Sequence, residues 1–306
     1  DLIIHDEAHL TPAFSDLLQA VIKEQRQCKE ARPIAVLELS ATASDTADRE
    51  VFSLQPELDE LDALVRQRLS AQKSLRLHED ESATLPETIV QLALEHEAKA
   101  CKVLIYVRSP ETARKVVALL KTHFGTHAEG WVDLLTGTIR GYERDRMVKE
   151  KPVYQAFLNS DYRVGQTVYL VSTSAGEVGI DLDADHMVCD LTTLDAMIQR
   201  LGRVNRRGGE GRTAQVDVVI ASVKKGKKKD AEEKPLSPID QAILNTQSAL
   251  KRLPERAGGG YDAGPSALRK LLAEAQDAVS PQPATVPLTD ILLDCIAHFE
   301  VRQKPK

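Results

Sequence analysis

The sequence predicts an α/β fold of parallel sheets covered by helices, and three observations lead there. Short apolar runs alternate with stretches of helical periodicity between residues 88 and 221, and strand-helix alternation implies a parallel sheet covered on both faces. The opening run Leu2-Ile3-Ile4 passes at once into acids, the pattern of a buried strand that delivers carboxylates at its C-terminal end, where open α/β sheets place their ligands. The 306 residues are also enough for about two folding units, since domains usually run to about 100–200 residues.

The elements follow in order. Phe14, Leu17, Leu18, Val21 and Ile22 recur at three- and four-residue spacing, which predicts an amphipathic helix from Pro12 to about Arg26. Residues 34–39 predict a second strand, ended by Ser40-Ala41-Thr42. From about Ala43 to Thr84 the chain reads as helical and charged, and the polar HEDESAT at its end suits a crossing between domains. A new unit then opens with a helix near 88–99, a strand over 102–107, a helix over 111–124 and strands over 131–135 and 167–172. A helix from Leu194 to about Gly202 and a strand over 214–221 complete it. The charge-rich KKGKKKDAEEKP reads as a solvated linker. The tail from Pro238 carries two helix-like stretches around the loop PERAGGGYDAGP.

The hydrophobic share of 42% and the charged share of 28% are those of a soluble globular protein, and no apolar run is long enough to predict a membrane span. Nothing in DLIIHDEAHL resembles a signal or transit sequence, and it reads as a chain cut within a domain. Cys28, Cys101, Cys189 and Cys295 make no C-x-x-C pair, which disfavours a zinc ribbon or a disulfide framework and fits a reducing cytoplasm. With a net charge of −6, nucleic-acid binding would rest on a local groove rather than on bulk attraction.

Chemistry concentrates at a few strings. Asp6-Glu7-Ala8-His9 sets two acids at a strand end, where one can hold a magnesium ion and the other can orient an attacking water for ATP hydrolysis. Alone it is a weak signal, because adjacent acids are usually just solvated. Thr136 and Gly137 offer a hydroxyl and a backbone N–H suited to a phosphate, although a turn glycine with a helix-capping threonine is an equal reading. Gly179 would permit a ligand to approach the backbone closely. Arg203 and Arg206, three apart in QRLGRVNR, could project from one side of a helical turn towards phosphates.

Taken together, in this order and at this spacing, these strings resemble the superfamily 2 helicases at five places across roughly residues 1–221. The resemblance implies paired RecA-like domains of the P-loop NTPase fold. Residues 1–80 would be the end of a first, truncated ATP-binding domain, 81–222 the second domain, and 223–306 a charged linker and helical tail. It also implies roles: Asp6 and Glu7 as the acidic hydrolysis motif with Asp6 on magnesium, and His9, Ser40 and Thr42 in coupling hydrolysis to strand separation. Ser109, Thr136, Gly137 and Thr173 would contact nucleic acid. Gly179, Asp181 and Gln199 would bind ATP, with Asp181 on the ribose, and Arg203 and Arg206 would act as arginine fingers on a nucleotide held by the opposite domain.

QRLGRVNRRG, with Asn205 where many related helicases have Gly, is similar to the CRISPR-associated helicase of type I interference systems, as are DEAHL-TPAF and LTGTIRGYERD. That branch implies an ATP-driven motor on the single DNA strand displaced by an RNA-guided effector complex, in antiviral defence. A DNA-repair or RNA helicase is the runner-up. No G-x-x-x-x-G-K-[ST] string occurs, so the chain alone is expected neither to hold ATP tightly nor to hydrolyse it. A non-catalytic interaction module is the third reading.

Overall fold

The computed structural model describes residues 1–40, 52, 62–80, 84–137, 141–159, 161–177, 180–221 and 236–281. They fall into two compact units, the first within 1–40 and the second beginning with the helix at residue 63.

In the first unit, β1 (Leu2–His5) pairs in parallel with β2 (Ala35–Glu38), with Ile4 opposite Leu37. Between them runs α1 (Pro12–Gln27), opened by Pro12 at its first turn, where a missing N–H costs nothing. Leu18 is buried, whereas Leu2, Ile4, Leu37 and Leu39 stay exposed.

The second unit begins with α2 (Ala63–Leu69), whose N-terminal amides are capped by Asp62, and with β3 (Gln72–Asp80). Then come α3 (Leu85–Leu94), β4 (Lys102–Tyr106), α4 (Pro110–Phe124), α5 (Ala128–Trp131) and β5 (Val132–Leu135). After α6 (Gly141–Glu150), α7 (Pro152–Leu158) and β6 (Val168–Ser172) follow β7 (His186–Asp190), α8 (Leu194–Leu201) and β8 (Thr213–Ala221). The last elements are α9 (Pro238–Leu250), β9 (Tyr261–Asp262) and α10 (Pro265–Glu274).

The seven strands lie in the order β5-β6-β4-β7-β8-β3-β9. All are parallel except β9, which runs antiparallel to β3 at the edge. β4 and β6 are buried at every residue, as central strands covered on both faces must be. One apolar layer gathers Ile89, Val116, Leu120 and Phe124 from α3 and α4 against Ile105, Val171, Val188 and Val219. The opposite layer sets Tyr154, Phe157, Met197, Leu201, Leu250 and Leu271 against Leu104, Leu170, Met187 and Val218.

Two expectations are corrected here. Residues 72–80 form a strand rather than part of a charged helix, and β3 belongs to the second sheet through nine residues of register with β8, so the expected division after residue 80 cuts this sheet. Its alternation is hidden in the sequence because Lys73 finds the Leu201 carbonyl at the end of α8, while Arg76 and His78 find Asp217 on the neighbouring β8. The tail is not separate either: Leu250, Leu253, Leu268 and Leu271 of α9, α10 and the loop between them complete the core of that sheet. β7, α6 and α7 were also not foreseen. The linker string at 224–235 lies outside the described residues.

Candidate functional site

In the first unit, β1 ends at His5 and releases Asp6 and Glu7 into a turn. The buried His5 ring is fixed by Thr11 Oγ1 at 2.8 Å and Ser15 Oγ at 3.3 Å, and stands edge-on to Phe14. Asp6 is exposed, and its Oδ1 accepts from the Glu7 N–H at 3.0 Å. Glu7 takes a left-handed backbone, φ 51°, a conformation that non-glycine residues adopt at a cost and that clusters at functional turns. The Ala8 N–H donates to Leu39 O at 2.9 Å, and the Leu39 N–H to His5 O at 2.9 Å. The acidic turn and the residue before Ser40 are thus stitched together. Thr42 lies outside the described residues, as does the side chain of His9.

In the second unit, the candidate nucleic-acid residues leave three neighbouring strands at the same end. Leu135 is opposite Ser172, so Thr136 and Thr173 form the next rung, where the Thr173 N–H donates to Leu135 O at 3.2 Å. The Val107 N–H donates to Ser172 O at 3.0 Å, which brings the exit of β4 alongside. Two residues on, Ser109 caps α4, accepting from the Glu111 and Thr112 N–H groups. Thr136 and Thr173 are buried, whereas Gly137 and Ser109 are exposed. A Cβ at Gly137 would meet only Ala175, at 3.9 Å, so closeness to a strand, not internal crowding, would be the reason for glycine there.

The candidate nucleotide residues follow β6 and β7. Asp181 is exposed and pairs with Arg206 Nε at 3.2 Å. The structure thus joins two residues that the sequence analysis chose separately. Gln199 sits on α8 with a buried Nε2 that has no hydrogen-bond partner among the described residues. Gly179 lies outside the described residues.

Arg203 and Arg206 are not on a helical turn. α8 ends at Leu201, and both lie in the following turn, with Arg206 exposed and Arg203 buried. Arg203 Nε donates to Glu177 O at 3.1 Å, and the Arg206 N–H donates to Asp183 Oδ1 at 2.9 Å. Between them Asn205 adopts φ 43°, the left-handed region that Asn tolerates better than most residues. That backbone accounts for an asparagine where the resemblance places glycine.

Sequence reasoning missed the residues that hold this turn. Arg200 is 2% exposed. It donates to Glu177 Oε1 at 2.7 Å and to Asp190 Oδ1 at 3.0 Å, and lies 5.3 Å from the centroid of the Tyr106 ring. Burial works against its charge, but Asp190 and Glu177 outweigh burial and raise its pKa above the ordinary arginine value. Tyr106 in turn donates to Gly176 O at 2.6 Å. Glu177 therefore binds Arg200 by its side chain and Arg203 by its carbonyl. The available signal was Arg200 itself, a cation within the arginine string.

His96, Cys101 and His186 also come together, with ligand atoms within 4.8 Å. The His186 Nδ1 accepts from the Gln215 N–H at 3.1 Å. This puts the ring proton on Nε2 and leaves no lone pair there for a metal.

Residues 99–209 match the family described as Cas3-like, CRISPR-associated nuclease/helicase Cas3, C-terminal. The chain is 39% identical over 72 residues to the putative CRISPR-associated nuclease/helicase Cas3 of Myxococcus xanthus (strain DK1622), a match covering 24% of this chain and 9% of that protein. It is 32% identical over 95 residues to the CRISPR-associated nuclease/helicase Cas3 of Streptococcus thermophilus, covering 31% and 10%. The matched segments thus span about a tenth of each relative's length. In fold, the crystal structure of T. fusca Cas3 is similar with a TM-score of 0.61 at 18% identity, over 98% of this chain and 37% of that one. Among the described residues no helix is long and apolar enough to cross a membrane. The sequence match over residues 99–209 and the parallel-sheet fold make this chain similar to the CRISPR-associated nuclease/helicase Cas3 proteins.

Proposed function

We propose that this chain forms the downstream part of an ATP-driven motor that moves along single-stranded DNA handed over by an RNA-guided CRISPR effector complex, in antiviral defence. The observation that carries this reading is the row of strand exits in the second unit. The turn of Arg203 and Arg206, with Asp181 paired to it, stands towards the opposite end, beside Ala184 before β7 and Gln72 at the start of β3, whereas Ser109, Thr136, Gly137 and Thr173 share the exit end of three neighbouring strands. Open parallel sheets bind ligands there, and exposed backbone donors can follow a phosphate track without reading bases.

Asp6 fits magnesium: it is an exposed carboxylate at a strand end, a hard oxygen donor of the kind this ion takes. Magnesium, when bound with ATP, would neutralise charge on the phosphates. Glu7 would orient the attacking water, and Arg203 and Arg206 would meet the negative charge that develops on the transferred phosphoryl group. The exposed carboxylate of Asp181 would suit the hydroxyls of the ATP ribose, with Gln199 on α8 as the further nucleotide-binding residue. Without a phosphate-cradling glycine loop in its sequence, the chain by itself would not turn over.

The test is nucleic-acid-stimulated ATPase activity of the full-length protein. Wild type should be stimulated by single-stranded DNA and Glu7→Gln should be nearly inactive. Stimulation by RNA but not DNA would favour an RNA helicase, and absence of any ATP hydrolysis would favour the interaction module.

A further inference from the structure

The turn bearing Arg203 and Arg206 is gripped at both ends by the start of β3, which lies outside every motif named above. Lys73, 4% exposed, reaches across the sheet and donates from Nζ to Leu201 O at 2.7 Å, the last carbonyl of α8. On the far side of the turn, Asn205 Nδ2 donates to Gln72 O and to Arg212 O, each at 3.0 Å. Just upstream of β3, the Gln67 carbonyl oxygen comes within 2.0 Å of where a Cβ at Gly208 would stand, so residues 67–73 also confine the chain as it leaves the turn.

Burying an amine is costly unless it does something that an apolar side chain cannot. Burial lowers the Lys73 pKa to about 8, with Asp183 opposing and Arg206 adding to the effect. The amine stands at the C-terminal end of α8, where a cation is favoured by the unsatisfied carbonyls. A methionine there would fill much of the same space but leave Leu201 O without this donor.

We propose that Lys73 is a positioning residue for the arginine turn: it fixes the exit of α8 while Gln72 holds Asn205, so that Arg203 and Arg206 leave a backbone pinned on both sides. This rests on the reading of those arginines as cations that meet the charge developing on the transferred phosphoryl group, and the experiment separates the two ideas. In the full-length protein, Lys73→Met should speed amide exchange at Asn205 and Arg206, whose N–H groups donate to Ala184 O and Asp183 Oδ1, by about 10-fold or more while β6 is unchanged. DNA-stimulated turnover should fall by roughly 10- to 100-fold, the scale of a small misplacement of catalytic groups. The KM for ATP should stay within about 2-fold, because a group acting only on the transition state leaves ground-state binding alone. On an Arg206→Ala background, Lys73→Met should cost much less than on wild type, since the lysine acts through the arginines.

Unchanged exchange with wild-type turnover overturns the proposal, and so does a Lys73→Met loss that multiplies in full with that of Arg206→Ala. If Arg203→Ala and Arg206→Ala both turn over normally, the reading of the arginines fails, while exchange still reports whether Lys73 holds the turn. If Lys73→Met does not fold, Asn205→Gly is read by the same measures: it keeps a backbone that tolerates φ 43° and removes the bonds to Gln72 and Arg212 together with a small buried side chain. Slow exchange and wild-type turnover in Asn205→Gly overturn the proposal, and fast exchange with low turnover supports it.

Discussion

The Asp190 carboxylate binds Arg200 with one oxygen, at 3.0 Å, and the Arg108 N–H with the other, at 2.9 Å. It therefore links the loop leading to Ser109 with the helix leading to Arg203. Because Arg200 and Asp190 are both almost fully buried, removing the Asp190 charge leaves the buried Arg200 with Glu177 alone to balance it. Asp190→Asn should destabilise the second unit by about 3 kcal/mol, the scale of a broken buried pair. Urea denaturation checks this, and a loss near zero would show that water reaches Arg200.

Gly176 is held by shape. A Cβ there would stand 2.3 Å from Ser172 Oγ and 3.2 Å from the Tyr106 hydroxyl oxygen, and both residues are fully buried. Gly176→Ala should cost about 1–3 kcal/mol, as overpacking of a tight core does. Measured beside Gly137→Ala, whose Cβ has room, it should be clearly the less stable; equal stability of the two would contradict the packing.

Stability should fall below neutral pH because of His96. The ring is fully buried and stacks on His186 with centroids 4.2 Å apart. Burial first, then His186, Lys99 and Arg76, against a smaller opposing pull from Asp217, lower its pKa from 6.5 to about 4. The folded state therefore refuses a proton that the unfolded chain accepts. Stability should be level above about pH 7 and decline as pH drops from about 6.5 towards 4, by up to about 3 kcal/mol for this group. Denaturation midpoints across that window should fall in wild type and fall less in His96→Gln; identical slopes would remove His96 as the cause.

Arg203→Ala and Arg206→Ala in the full-length protein should each lower ATP turnover by about 10³-fold, as loss of a transition-state cation does. Lysine should rescue poorly, since it lacks the planar fork that can hold two phosphate oxygens. Single-turnover hydrolysis with saturating single-stranded DNA is the measurement, and wild-type rates in both variants would reduce the string to a surface patch.

Most strands of the second unit were legible because a parallel strand covered on both faces is written as an unbroken apolar run, as in KVLIY and VYLVS. β3 was not, because QKSLRLHED carries polar residues whose partners, Leu201 O and Asp217 among them, lie more than a hundred residues away. β7 was obscured in the same way by His186 and Asp190 at its two ends. At the site, the strand-end positions of Ser109, Thr136 and Thr173 were readable from their motifs, whereas the buried ion pairs of Arg200 were not, because which carboxylates meet a given arginine is settled by packing. Asn205 shows the intermediate case: its departure from glycine was visible, and its left-handed backbone supplies the reason.

The pairing of β3 with β8 joins residues 141 positions apart in the chain, as at Arg76 and Asp217. Closing so long a loop costs entropy before any rung of the ladder repays it, and contacts of this range slow folding. During synthesis β3 leaves the ribosome well before its partner exists, at about 5–20 residues per second. For about 7–28 seconds by that rate its edge has no β8 to pair with. The arginine turn thus leans on a strand that must wait for its own partner.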